Sequence, residues 1–177
     1  MLGVWDLPIG QRPARGSSPL FSRRRCAAAF AEAFPHHGVE RPAAAAAHEG
    51  ALAATAAPTF AVFGCGVDVT YPDRHGPLFA RIAATGGLLS EYPPATPPRA
   101  GQFPARNRII AALGDAVVVV EAAHRSGALI TAALARRLGK PLLAHPGSPG
   151  TDRLLQRGQA WPVTSPGMVP EFSWSAP

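Results

Sequence analysis

A chain of 177 residues, 47% hydrophobic and 16% charged, has the size of one domain, and no apolar run in it approaches the roughly 20 residues of a membrane span. Its 17 basic against 11 acidic residues leave a net charge of +6, which suits a polyanionic partner; every basic residue but Lys140 is Arg, the side chain fitted to planar, bidentate contacts with phosphate. Cys26 and Cys65 cannot build a disulfide framework, and neither they nor the adjacent His36 and His37 form a zinc pattern, so no metal or other cofactor is expected.

In chain order, residues 1–25 are rich in Pro, Gly, Ser and Arg without a period and read as irregular or disordered. The Arg23-Arg24-Arg25 run and the short apolar stretch after it do not make a targeting signal: the stretch starts far from Met1 and Glu32 interrupts it. A cytoplasmic, reduced protein is the expectation. Residues 26–34 are expected to form a short helix stopped by Pro35, and 43–54 an Ala-rich helix that depends on its neighbours for stability. Phe60-Ala61-Val62-Phe63 is a short apolar strand running into the tight turn Gly64-Cys65-Gly66. Residues 78–84 have helical spacing and stop at Gly86-Gly87. Leu88-Leu89-Ser90 opens another strand, and the Pro-rich stretch 91–101 reads as an ordered loop.

A helix is then expected over 106–113 and a fully buried strand over 116–121. A helix over 126–138 follows, with Ser126 as its cap and Gly139 as its stop. A strand over 141–144 and a short helix over 151–157, closed by Gly158, complete the pattern before a Pro- and Ser-rich tail. The organisation expected is an irregular segment 1–43, a core 44–163 and a tail 164–177. Apolar strands alternating with helices indicate an α/β fold, a Rossmann-like doubly wound and mostly parallel sheet covered on both faces. Ligands of such sheets bind at the carboxyl ends of the strands, which directs attention to loops 64–68, 91–103, 121–127 and 145–151.

The densest chemistry lies in Gly101-Gln102-Phe103-Pro104-Ala105-Arg106-Asn107-Arg108, where a ring, two guanidinium groups and a carboxamide sit close together. An aromatic face beside fixed cations suits single-stranded nucleic acid: bases stack and phosphates are neutralised. The alternative is a loop with a buried Phe leading into an Arg-bearing surface helix. Gly64 and Gly66 match the start of a dinucleotide fingerprint, but the third Gly and the following helix are absent, so they read as pocket backbone that turns closely over the sheet edge. Ser126-Gly127-Ala128 after the strand leaves first-turn amides available for an anion, with Arg125 beside them; the alternative is a capped turn that binds nothing. Ser126 as a nucleophile lacks a Gly-x-Ser-x-Gly frame, His124 is too near in sequence to promise a triad, and no Walker motif is present, so no catalytic residue and no enzyme activity is expected.

With these motifs in order, the chain resembles the DprA (Smf) family of DNA-processing proteins. The stretches that carry the resemblance include Ala61-Val62-Phe63-Gly64-Cys65-Gly66-Val67-Asp68, Ser90-Glu91-Tyr92-Pro93-Pro94, Phe103-Pro104-Ala105-Arg106-Asn107-Arg108-Ile109-Ile110 and Ser126-Gly127-Ala128-Leu129-Ile130-Thr131. The resemblance covers about residues 44 to 163 and implies a Rossmann-like core, a homodimer and single-stranded DNA as partner. It further implies a role in DNA uptake and natural transformation, with help in loading a RecA-type recombinase. On the same analogy Phe103 stacks on a base, Arg99, Arg106 and Arg108 contact phosphates, and Ser126 and Gly127 line the pocket floor. Asn107 and Arg108 have the alternative of bracing the loop from inside.

The family's opening strand with its Gly-Ser-Arg turn, and its second strand, are not legible in residues 1–43. The chain therefore reads as a truncated or N-terminally degenerate member, whose competing reading is a non-functional remnant. A third is a nucleoside-monophosphate hydrolase of the related lysine-decarboxylase-like group. That group's Pro-Gly-Gly-x-Gly-Thr motif is absent where Glu121-Ala122-Ala123-His124-Arg125-Ser126-Gly127 stands.

Overall fold

The computed structural model describes residues 27–28, 43–53 and 58–164. The expected irregular segment 1–25 and the end of the tail lie outside the described residues. The chain divides into two compact units, residues 1–106 and 107–177. Each carries a three-stranded sheet in which every pairing is parallel.

In the first unit the order along the chain is β1 (Ala27–Ala28), α1 (Ala43–Ala53), β2 (Thr59–Phe63), α2 (Gly76–Thr85) and β3 (Gly87–Ser90), and the strands lie side by side in that order. Ala27 and Ala28 pair with Thr59 and Phe60, so the helix expected from residue 26 is corrected there: these two residues extend the sheet. The rest of that expected helix lies outside the described residues. The apolar run of β2 is buried at Ala61, Val62 and Phe63, as expected of a strand covered on both faces. Helix α2 presents Leu78, Phe79 and Ile82 to this sheet, where they join Ala45, Phe63 and Cys65 in the core. It ends at Gly86, whose amide donates to the Ile82 carbonyl at 2.8 Å. A Cβ there would lie 1.8 Å from the Thr59 carbonyl oxygen, so only glycine lets the chain turn back against β2. The imidazole of fully buried His48 on α1 shares a 2.8 Å hydrogen bond with the Thr59 hydroxyl, tying helix to strand.

Helix α3 (Gln102–Leu113) contains the boundary between the two units. It starts four residues before the expected position. The Gln102 side-chain oxygen accepts from the Arg99 amide at 2.6 Å, and Pro104 occupies the first turn, where its missing N–H costs nothing.

In the second unit β4 (Val117–Val119), α4 (Gly127–Arg137), β5 (Leu142–Ala144), α5 (Pro149–Gln156) and β6 (Trp161–Pro162) alternate, again with sequence order equal to spatial order. The fully buried strand expected over 116–121 is shorter than that. Val117 and Val119 are buried, but Val120 and Glu121 are exposed beyond the ladder. Ser126 caps α4 by accepting from the Ala128 amide at 3.2 Å, and Gly139, at φ 67°, supplies the left-handed stop. Ser148 and Thr151 form a capping box on α5. The sole lysine has a structural post: Lys140 Nζ donates to the carbonyls of Ala112 and Gly114 at the carboxyl end of α3.

Candidate nucleic-acid interface

The loops that follow β2 and β3 hold the candidate residues of the first unit. Turn 64–68 and loop 91–101 are pinned together. The Gly66 amide donates to the Thr96 carbonyl at 2.9 Å, and the Ala95 amide donates to both carboxylate oxygens of Asp68 at 2.8 and 3.0 Å. Ser90 Oγ donates to the Cys65 carbonyl at 2.6 Å and receives the Tyr92 amide at 3.0 Å. Ala95 is held at φ 62°, a left-handed conformation that its bonds to Asp68 stabilise. The proline-rich loop is therefore a fixed wall. A Cβ on Gly66 would come within 2.8 Å of the Pro93 carbonyl oxygen and 2.9 Å of the Ala95 amide, so this close approach requires glycine.

Phe103, on the first turn of α3, is half-buried. Its ring centroid lies 5.6 Å from that of Tyr71 at an interplanar angle of 39°, and 5.8 Å from the guanidinium carbon of Arg106. Gly64 leaves the space that the ring fills: a Cβ there would lie 2.9 Å from Phe103 Cδ1. Arg106 is 2% exposed, and its Nη1 donates to the Val62 carbonyl at 2.5 Å. Arg106, expected among the phosphate contacts, is thus buried here and links the end of β2 to the start of α3. Arg99 is exposed. Burial pushes the Cys65 thiol up from its ordinary pKa, partly offset by the Arg106 charge and reinforced by Asp68. Burial, with Arg74 close by, holds His75 below its ordinary value despite Glu49.

In the second unit Asn107 is 1% exposed, and its amide nitrogen donates to the Gly127 carbonyl at 3.3 Å. Arg108 and Arg125 are exposed, Ser126 is half-buried as the cap of α4, and Gly127 is buried. Asn107 and Gly127 thus meet, while Arg108 and Arg125 lie on the surface. Ser126 Oγ accepts from the Ala128 amide, as a helix cap does. Among the described residues no group of three His, Cys, Asp or Glu could hold a metal, and no helix is long and apolar enough to cross a membrane.

Sequence reasoning missed Tyr71 and Asp68. The signal for Tyr71 was an aromatic shortly after the Gly-Cys-Gly turn; for Asp68 it was a carboxylate two residues past Gly66. Neither reveals its partner 32 or 27 residues away.

Residues 38–172 match the model of the family described as DNA recombination-mediator protein A. Protein Smf of Synechocystis is 52% identical over 91 residues, covering 51% of this chain and 23% of that protein. The putative DNA processing protein DprA of Mycobacterium tuberculosis is 46% identical over 119 residues, 64% of this chain and 30% of the relative. DNA processing protein DprA of Streptococcus pneumoniae is 40% identical over 135 residues, 73% of this chain and 48% of its own length. The chain thus spans between 23% and 48% of these relatives. Among solved structures, the DprA of Streptococcus pneumoniae superposes with a TM-score of 0.66 at 39% identity, over 76% of this chain and 49% of that one. DNA processing protein A of Helicobacter pylori, solved for insight into its single-stranded DNA binding mode, superposes with a TM-score of 0.65 at 34% identity, over 70% of this chain and 58% of that one. Parallel pairing in both units and these likenesses make the fold Rossmann-like α/β.

Proposed function

The chain belongs to the DNA recombination-mediator protein A family, and from that premise we propose that it binds single-stranded DNA and is not an enzyme. The observation that carries this reading is the half-buried ring of Phe103, seated against Gly64 and Tyr71 on the first turn of α3. A ring held in place with part of its surface exposed offers a base a stacking partner without sequence preference. In the first unit, exposed Arg99 lies four residues ahead of that ring in the chain. In the second, Arg108 and Arg125 offer charge to phosphates, and the capped turn Ser126-Gly127 lies at the amino end of α4. Arg106, Asn107, Gly64 and Gly66 act in this reading as supports that shape backbone and ring.

The DNA-binding core is proposed to lie within residues 44–163. The wider role proposed is that of a cytoplasmic accessory protein of DNA uptake and natural transformation, acting as a homodimer and helping to load a RecA-type recombinase. The family match and the net charge of +6 support it.

The test is fluorescence anisotropy of a labelled oligo-dT against the purified full chain at low and moderate salt, with duplex DNA as control. Saturable, salt-sensitive preference for the single strand is expected. A folded sample that ignores the single strand would overturn the reading and favour a non-functional remnant.

A further inference from the structure

We infer that Tyr71 is a positioning residue that orders the Phe103 ring before a base arrives; this rests on the single-strand reading above. Phe103 sits at the border of a hollow also bordered by Tyr71, Pro72, Cys65, Phe63 and Arg106. Open space beside a half-buried ring leaves it room to change rotamer. Three contacts restrict it: the Gly64 backbone, the Arg106 guanidinium and the Tyr71 ring, whose centroid is 5.6 Å away at 39°. Gly64 belongs to the turn that follows β2, and Arg106 to α3, the helix that carries Phe103 itself. Tyr71 is the contact that supplies a second ring, and its segment is itself anchored. The Val69 amide donates to the Gly66 carbonyl at 3.0 Å, the Cys65 thiol donates to the Val69 carbonyl at 3.4 Å, and Tyr71 packs partly buried on the core of Phe63 and Phe79.

A tilted aromatic pair at this separation favours one mutual orientation. Immobilising a free side chain on binding costs about 0.5–1.5 kcal/mol, which corresponds to about 2- to 12-fold in Kd. If Tyr71 removes that freedom in advance, Tyr71→Leu should weaken oligo-dT binding by about that factor. Tyr71→Phe, which keeps the ring, should bind like the parent. Positioning differs from direct contact in two readouts. The slope of log Kd against log salt should not change, because no phosphate contact is lost. In a Phe103→Ala background, Tyr71→Leu should have no further effect, because the group it orders is gone.

The experiment pairs those titrations with NMR of the ligand-free chain, specifically labelled on the Phe103 ring. Ring order should fall in Tyr71→Leu and hold in Tyr71→Phe. Unchanged ring order in Tyr71→Leu, or a loss of affinity that persists in the Phe103→Ala background, would overturn the positioning role. Failure of the parent chain to bind oligo-dT would overturn the single-strand reading itself, while the ring-order measurement still decides the role of Tyr71.

Discussion

The guanidinium of Arg106 stands 5.8 Å from the centre of the Phe103 ring while its Nη1 donates to the Val62 carbonyl. One buried cation thereby joins the carboxyl end of β2 to the amino end of α3, and the aromatic candidate for stacking is set on that joint. A charge 2% exposed is stable only when its donors are engaged, so the arrangement is a support whose loss is felt through the fold.

Arg106→Lys should therefore lower stability by about 1.5–3 kcal/mol, the scale of a hydrogen bond to a charged group, because Lys cannot reproduce the planar fork. Urea denaturation with an unchanged m-value checks this. A loss below 0.5 kcal/mol would show that the Val62 contact carries little (about that threshold separates surface from buried substitutions).

Exposed arginines should behave oppositely. Arg99→Ala, Arg108→Ala and Arg125→Ala should leave the denaturation midpoint nearly unchanged. Each that contacts a phosphate should reduce the slope of log Kobs against log salt for oligo-dT by about 0.7. Arg106→Lys should keep the parent slope. Salt titration of the four variants separates phosphate contact from bracing residue by residue.

Phe103→Ala should weaken oligo-dT binding by about 1–3 kcal/mol, the usual scale of one base–aromatic stack. Gly64→Ala should also weaken it, because the new Cβ would lie 2.9 Å from Phe103 Cδ1 and the ring must shift. Its cost to stability should be smaller than that of a clash with backbone, since a ring can tilt where a fixed main chain cannot. Gly66→Ala meets backbone instead, at 2.8 Å from the Pro93 oxygen and 2.9 Å from the Ala95 nitrogen, and should destabilise by about 1–3 kcal/mol. Thermal melts and anisotropy on the pair test the contrast. Equal effects on stability would contradict the rigidity of loop 91–101.

Cys65 predicts a pH dependence. Its pKa is raised chiefly by burial, so the folded state holds the thiol proton where the unfolded chain starts to release it. This contribution to stability is complete below the unfolded thiol value of about 8.5 and is lost as pH rises through the folded value. In a Cys26→Ser background, stability should fall more steeply above pH ~8.5 than in the same chain carrying Cys65→Ala. Parallel curves would mean the two states release the proton alike.

Much of the architecture was legible because its causes are local. The apolar run at Phe60–Phe63, the Gly86-Gly87 stop, the Ser126 cap and the Gly139 terminator each act within a few residues, and each lies where its pattern placed it. The misplaced boundaries have tertiary or side-chain causes. Gln102 caps the Arg99 amide and starts α3 early, and the ladder to β5 ends at Val119, leaving Val120 in solvent although it reads like its neighbours. Ala27 and Ala28 carry no strand signal of their own, yet they pair with Thr59 and Phe60.

By itself the sequence determined the alternation of helix and strand, the surplus of arginine and the family motifs, since periodicity, charge and spacing are properties of the chain. Only the tertiary structure decided which arginine is a brace and which faces solvent. Arg106 and Arg108 are two residues apart on one helix, yet one meets a carbonyl 44 positions back and is buried while the other is exposed. Burial depends on what packs against each helix face, and no local pattern of residues contains that information.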